Sequence, residues 1–311
     1  MRWILTTFSV LTSLFFCNTL FAQEQVMPSG DFEGMRRTGI FTVTEVVNPL
    51  TVKLDDGRFV HLAGLNFADL DFYDPGDLSI TAMHILDDFL KDKKVALYQT
   101  KDSSKGRKNR MEHHIGHLVR TDNDIWVQGM LLSLGVARVR TTPYNPDMAK
   151  QMLSHENTAR EAKAGMWTIE EHHVLSPKEA EKHIGSYQIV EGVVNTVSMR
   201  KNRLYLNFGK NWRDDFTISI SAFNLKKFTK QKLNPQQWNG KRLRVRGWIE
   251  SYNGPYMDID HPERFEAIFE QKSSMQTSTS TPAKPVSKKQ KQKSKKPRKK
   301  DTGSALPVFN D

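Results

Sequence analysis

The chain has 311 residues, enough for two globular domains, and its 38% hydrophobic and 10% aromatic content is that of a folded protein. Its formal net charge of +11 is concentrated at one end, because residues 271–311 hold eleven lysines and arginines against two acids, a net of +9. This distribution excludes a uniformly basic folded body, and a single cysteine, Cys17, excludes a disulfide-stapled scaffold.

Residues 1–22 have the pattern of a secretory signal peptide. Arg2 is a positive n-region, Trp3 to Phe16 form an apolar h-region too short to span a bilayer comfortably, and Leu20-Phe21-Ala22 is an acceptable cleavage site. An uncleaved anchor is the alternative. We expect an exported protein, periplasmic or secreted, that is cleaved near Ala22 and has no transmembrane segment in the mature chain.

Residues 39–170 predict a first domain that mixes strands with helices. Strands are predicted over 39–47, 50–54 and 58–65, with the tight hairpin turn at Asp56-Gly57. Further strands are predicted over 95–100, 115–120 and 135–140, and helices over about 79–90, 127–134 and 146–164. We expect the last helix to end at Gly165, a good residue after a helix C-terminus.

An acidic loop precedes the first helix and holds Asp69, Asp71, Asp74 and Asp77. One interpretation is a relocated divalent-ion site, because clustered carboxylates attract such ions. The other is a solvated loop in which Asp77 caps the helix.

Residues 185–270 predict a second domain, joined to the first by the polar stretch EEHHVLSPKEAEKH. Three strands, a helical segment and two further strands follow one another, which is the order of an OB-fold barrel. Residues 271–311 are expected to form a disordered Lys-rich tail, since they offer too few apolar side chains to offset the entropy of ordering.

Three stretches make residues 41–167 resemble the staphylococcal-nuclease (thermonuclease) family. TVKLDDGRFVHLAGLN resembles its hairpin leading into the active-site loop, and IWVQGMLLSLGVARV resembles its short helix and following strand. The last helix matches the pattern E-x-x-A-R-x-A-x-x-G-x-W at Glu156, Ala159, Arg160, Ala162, Gly165 and Trp167. The resemblance implies a five-stranded OB barrel with helices, and LRVRGWIESYNGP resembles the OB module that some bacterial relatives append. We therefore predict a mainly β, α+β protein with two OB-type five-stranded barrels in tandem.

The resemblance also implies a Ca²⁺-dependent nuclease site with two carboxylate ligands, a glutamate base and two phosphate-clamping arginines. The ligand positions fall on Leu50 and Asn66, the base on Asp69, and the arginines on His61 and His113, with His114 as the other register for the last. The spacing is kept, but the residue types are not. We expect the calcium-dependent nuclease activity to be lost, because that chemistry needs both the clamp and the metal.

A rebuilt active site is the alternative. His61, Asp69, His113 and His117 are candidates to bind Zn²⁺ or another divalent ion and activate water, since His113 and His117 share a strand face. That would give a metal-dependent phosphodiesterase. Otherwise the histidines are polar residues at a vacated arginine site.

Candidates for binding nucleic acid lie in the second domain and the tail. The second domain offers aromatic and basic residues that either form a stacking face for nucleic acid or sugar or fill the barrel core. We single out Tyr205, Trp212, Arg213, Tyr252 and Tyr256, with Arg244, Arg246 and Trp248 nearby in the sequence.

The tail adds a run of cations that would attract a polyanion, either nucleic acid or the anionic envelope surface, or is simply solvated. Its candidates are Lys288, Lys289, Lys295, Lys296 and Arg298. The sequence thus predicts a non-catalytic binder of nucleic acid or another polyanion. The alternatives are the phosphodiesterase and an envelope-associated structural or adaptor protein.

Overall fold

A computed structural model describes residues 28–71, 73–211 and 215–269. The signal peptide, Trp212, Arg213 and the Lys-rich tail therefore lie outside the described residues. The strands of the first part are β1 (Arg36–Asn48), β2 (Thr51–Leu54), β3 (Phe59–Leu62), β4 (Leu65–Asn66), β5 (Lys94–Gln99), β6 (His114–Arg120) and β7 (Arg138–Val139).

Five of these strands close into the predicted barrel, in the order β1-β2-β3-β6-β5. Neighbouring strands are antiparallel except β3 and β6, which run parallel. Alternating apolar residues such as Val60 and Leu62 point inwards and are fully buried, because a closed sheet has one inner face to fill. The remaining pair, β4 and β7, forms a two-stranded sheet outside the barrel.

The helices are α1 (Asp77–Leu90), α2 (Val127–Ser133), α3 (Ala149–Glu161) and α4 (Ala222–Lys230). α1 packs through buried Leu86 and Leu90, each contributing roughly 1.5–3 kcal/mol by leaving water. The predicted end of the third helix is wrong: α3 ends at Glu161 and Lys163 takes the left-handed conformation (φ 50°). Gly165 instead lies against the backbone of Gly135, where an added Cβ would come within 2.6 Å of the Gly135 carbonyl oxygen.

The second part of the chain supplies the remaining strands. They are β8 (Tyr187–Val193), β9 (Thr196–Arg200), β10 (Arg203–Asn207), β11 (Thr217–Ser221), β12 (Arg242–Trp248), β13 (Glu250–Ser251), β14 (Pro255–Asp258) and β15 (Phe265–Phe269). They form two sheets around one core, ordered β13-β14-β11-β10-β9 and β15-β12-β8. The expected single five-stranded barrel sheet is thus divided in two.

The division arises because three of the five predicted strands are interrupted. The breaks separate β8 from β9, β12 from β13 and β14 from β15. When each interrupted pair is counted as one strand, the second part has five strands. The first pairs with the second, the second with the third, the third with the fifth, the fifth with the fourth and the fourth with the first, and only the third and fifth run parallel. This is the order of the first barrel, so the OB topology is repeated.

A buried ionic network joins the two barrels. Arg246 of β12 is fully buried and donates to both carboxylate oxygens of Glu156 in α3 (2.9 and 3.0 Å) and to Glu266. Arg160 also bonds Glu266 (2.8 Å). The Tyr187 hydroxyl donates to the carbonyl oxygen of Val139 (3.1 Å). The polar stretch predicted as a linker is packed as well, since Leu175 and Ala180 are buried. All described residues accordingly fall within one compact unit.

Over the described ranges, no helix has the length and apolar character needed to cross a membrane.

Candidate functional site

The two positions implied as calcium ligands lie at the loop end of the first barrel. Leu50 lies in the turn between β1 and β2, where its N–H donates to Asn48 Oδ1 (2.9 Å) and its side chain packs against the core. Asn66 lies in β4, paired with Arg138 of β7. A leucine has no ligand atom and an amide oxygen carries no charge, so these residues do not fit Ca²⁺.

Asp69, which the resemblance places at the position of the base, caps α1. Its Oδ2 accepts from the Leu78 N–H (2.8 Å), and its Oδ1 accepts from the N–H (3.1 Å) and hydroxyl (2.7 Å) of Ser79. The predicted capping by Asp77 is wrong, because Asp77 is the first helical residue and the N-cap position is Gly76. An added Cβ on Gly76 would lie 2.3 Å from Asp69 Oδ2, so glycine leaves room for the carboxylate. Both oxygens of Asp69 thus satisfy otherwise unpaired groups of the first helical turn.

The alternative metal set does not converge. His117 is 2% exposed and accepts a hydrogen bond from Trp126 Nε1 at its Nδ1 (3.3 Å), and burial lowers its pKa to about 3. His113 precedes β6, and Asp69 is held by α1. Across the described ranges, no three His, Cys, Asp or Glu side chains are grouped so that they could hold a metal ion. The structure therefore does not assemble the predicted site of His61, Asp69, His113 and His117.

Asp71, in the acidic loop before α1, also accepts hydrogen bonds from nearby backbone groups. Asp71 Oδ1 accepts from the N–H groups of Tyr73 (2.8 Å) and Asp74 (3.3 Å), which is a local turn and not a coordination sphere. The relocated-ion interpretation of this loop is not supported.

His61 and His113, which the resemblance places at the arginine positions, are close enough for His113 to act electrostatically on His61. His113 stacks on Phe59 with 5.1 Å between ring centroids, and His61 pairs in register with Thr51 and Ile115. Burial has the largest effect on the pKa of His61 and lowers it, and the electrostatic effects of His113 and then Arg140 lower it further. Its imidazole is therefore neutral at pH 7. A neutral imidazole at His61 cannot replace an always-charged guanidinium group on a phosphate.

A separate groove on the second barrel gathers three of the predicted aromatic residues. Tyr205 of β10, Tyr252 of the β13–β14 loop and Tyr256 of β14 line one cavity of about 700 Å³. Tyr252 is 60% exposed, and its ring centroid lies 5.4 Å from that of Tyr256. Tyr256 is nearly buried, with its hydroxyl bonded to Ser219 (2.5 Å). An exposed ring beside an anchored one gives a rigid surface on which a base or sugar can stack.

Sequence reasoning missed the cations of this groove. Arg200, Lys201 and Lys210 line it and are exposed. Lys201 and Asn202 both have positive φ (46° and 62°) and form a two-residue hairpin loop between β9 and β10. The dipeptide Lys-Asn between two strands of alternating hydrophobicity could have indicated these cations. A hairpin turn there brings the side chains that flank it to one edge of the sheet.

Arg244 and Arg246 do not belong to the groove. Arg246 is fully buried in the interface between the barrels, and Arg244 donates hydrogen bonds to Glu191 (2.7 Å) and Glu266 (3.4 Å). Trp248 lies outside the groove as well, on the wall of a second cavity. These three residues are therefore not part of the groove lined by the tyrosines.

Residues 80–169 match the family model described as staphylococcal nuclease homologue. The match begins inside α1 and runs through β5, β6, α2, β7 and α3, so it leaves out the positions of Leu50, His61, Asn66 and Asp69. It is also shorter than the predicted resemblance over 41–167. No protein of curated function matches the chain. The family match and the closed five-stranded barrel together show that the chain contains a staphylococcal nuclease homologue domain.

Proposed function

We propose that this chain is an exported protein that binds single-stranded nucleic acid or a related polyanion and lacks calcium-dependent nuclease activity. A staphylococcal nuclease homologue domain suggests a nuclease-like or nucleic-acid-binding function. Of these two, binding is favoured because Leu50 and Asn66 do not fit Ca²⁺ and both oxygens of Asp69 bond α1.

The observation that carries the proposal is the groove of Tyr205, Tyr252 and Tyr256 flanked by exposed cations. It lies on the strands and on the first and last hairpin loops through which OB folds bind oligonucleotides and oligosaccharides. Aromatic stacking supplies affinity for any base, and cations at the rim supply attraction to the phosphates.

Export and the tail complete the proposal. The pattern of residues 1–22 supports secretion or a periplasmic location, and the tail cations, including Lys288 and Arg298, would extend the attraction to a polyanion or to an anionic envelope surface.

The test uses residues 23–311 and a labelled single-stranded oligonucleotide of about 12 nucleotides, with fluorescence anisotropy as the readout. We expect binding at low salt that weakens steeply as salt rises. Tyr252→Ala and Tyr205→Ala should each weaken binding by roughly 5- to 100-fold, the loss of one stacked base.

The matched control is Tyr73→Ala, because Tyr73 is fully exposed and lies in the first barrel, away from the groove. No anisotropy change at low salt would overturn the proposal. An equal effect of Tyr73→Ala would overturn the assignment to the groove. A variant ending at residue 270 should retain the tyrosine-dependent part of binding while its salt dependence becomes shallower.

A further inference from the structure

A second cavity lies between the two barrels. It has a volume of about 880 Å³, within the range of sites that hold small organic ligands. Its walls come from both barrels: Leu50, His61 and Asn66 line one side, and Tyr187 and Trp248 line the other. The second barrel therefore completes a pocket above the altered nuclease positions.

The charge of this cavity is strongly one-sided. Arg138, Arg140 and Lys182 supply cations to its walls, while Glu171 is the one acid among the described lining residues. None of the three cations stands at a position where the family resemblance implies an arginine. A concave site with several cations and a single acid attracts anions.

Arg138 is the most informative of the three. It is 1% exposed, and its guanidinium donates to the carbonyl oxygens of Tyr187 (3.1 Å) and His172 (3.2 Å) and to Gln188 Oε1 (3.2 Å). Its Nε has no partner among the described residues, and burial lowers its pKa to about 10. Glu156 acts on it electrostatically but is bonded to Arg246.

The guanidinium also lies over the Trp167 ring, 5.5 Å from its centroid, so it has neutral acceptors, an aromatic face and the electrostatic attraction of Glu156 but no bonded carboxylate. An incoming anion would supply that missing partner.

Asn145 adds a second unsatisfied group to the lining of the cavity. It is 7% exposed, and its Nδ2 donates to the Gly106 carbonyl oxygen (2.9 Å), while its Oδ1 has no donor among the described residues. A buried acceptor without a donor costs free energy, and a hydroxyl group of a ligand would supply one. Tyr187 and Trp248 add an aromatic wall for the body of such a ligand.

We propose that the cavity between the barrels binds a small phosphate ester with a hydroxylated body, its phosphate facing Arg140, Lys182 and Arg138 and a hydroxyl donating to Asn145. The site is independent of the tyrosine groove and goes beyond the proposed function. Guanidinium groups favour phosphate because their paired N–H donors match its oxygens.

The test is calorimetric titration of residues 23–311 with ribose 5-phosphate, inorganic phosphate and ribose. Ribose 5-phosphate should bind more tightly than either fragment, since each fragment satisfies only half of the site. Arg140→Met and Lys182→Met should each weaken its binding by roughly tenfold or more. Both residues are exposed, so these variants should fold.

The matched control is Lys178→Met, because Lys178 is exposed on the same segment but does not line the cavity. Tyr252→Ala separates this site from the groove: it should leave ribose 5-phosphate binding unchanged and weaken only the oligonucleotide. Three outcomes would overturn the proposal: no binding of ribose 5-phosphate at millimolar concentration, inorganic phosphate binding as tightly, or Arg140→Met having no more effect than Lys178→Met.

Discussion

Replacing Arg246 with methionine should destabilise both barrels together. The fully buried guanidinium holds Glu156 (2.9 and 3.0 Å), the Val139 carbonyl oxygen (2.7 Å) and Glu266. Methionine keeps much of the volume but removes the fully buried cation that pairs with the carboxylates of Glu156 and Glu266, which are 1% and 2% exposed.

Removing one partner of a buried ion pair costs about 3–5 kcal/mol, because the remaining charge stays buried with neither a partner nor water to stabilise it. Arg160 still reaches Glu266 (2.8 Å) and approaches Glu156 (3.6 Å), so we expect the lower end, about 3 kcal/mol. For a unit of this size, that loss lowers the melting midpoint by about 6–12 °C.

Urea-induced unfolding measures the change, with tryptophan fluorescence and circular dichroism as two readouts. The control is Arg242→Met, the same substitution in the same strand, because Arg242 is 51% exposed and pairs with Glu191 at 3.3 Å. That exposed pair should be worth less than about 1 kcal/mol. The reasoning is refuted if Arg246→Met costs no more than Arg242→Met.

Asp69→Ala should lower the free energy of unfolding by about 1–2 kcal/mol through loss of the α1 cap, and calorimetry should show no change in calcium binding; lost calcium binding would contradict the capping role. His117→Gln should flatten the fall in stability as the pH drops from 6.5 towards 3, because only the unfolded chain protonates this imidazole there. Unfolding at stepped pH measures that slope, up to about 1.4 kcal/mol per pH unit for one group; an unchanged slope would contradict it. Burial alone would raise the pKa of Glu266, but Arg246 and the neighbouring arginines lower it below 4.5. Its contribution is therefore present above pH 4.5 and lost as the pH falls below that value, so Glu266→Gln should cost more at pH 7 than at pH 3 in the same measurement, and equal costs would count against it.

The barrels were predictable because their signals are local. The Asp56-Gly57 turn and the alternation of Val60 with Leu62 lie within one hairpin, and the order of three strands, helix and two strands needs no knowledge of contacts. The interruptions between β8 and β9 and between β12 and β13 were not predictable, because strand breaks depend on how each strand crosses from one sheet to the other.

The site was harder to predict, since its decisive contacts join distant residues. Asp69 caps a helix that begins eight residues later, and an acid inside the helix, Asp77, looked like the better cap. In β12, Arg244 and Arg246 alternate with buried Leu243 and Val245, which is the pattern of a solvent-facing row of charges. The first barrel covers that row, so these charged side chains lie in the interface between the two barrels.

The most direct test of the central claim incubates residues 23–311 with a labelled single-stranded oligonucleotide, with calcium or with EDTA, and follows binding and strand length in the same samples. The structure predicts that the strand is bound and remains intact in both, because Leu50 and Asn66 cannot hold calcium and the tyrosine groove does not need it. Calcium-dependent shortening of the strand, or the absence of binding in both samples, would contradict the account.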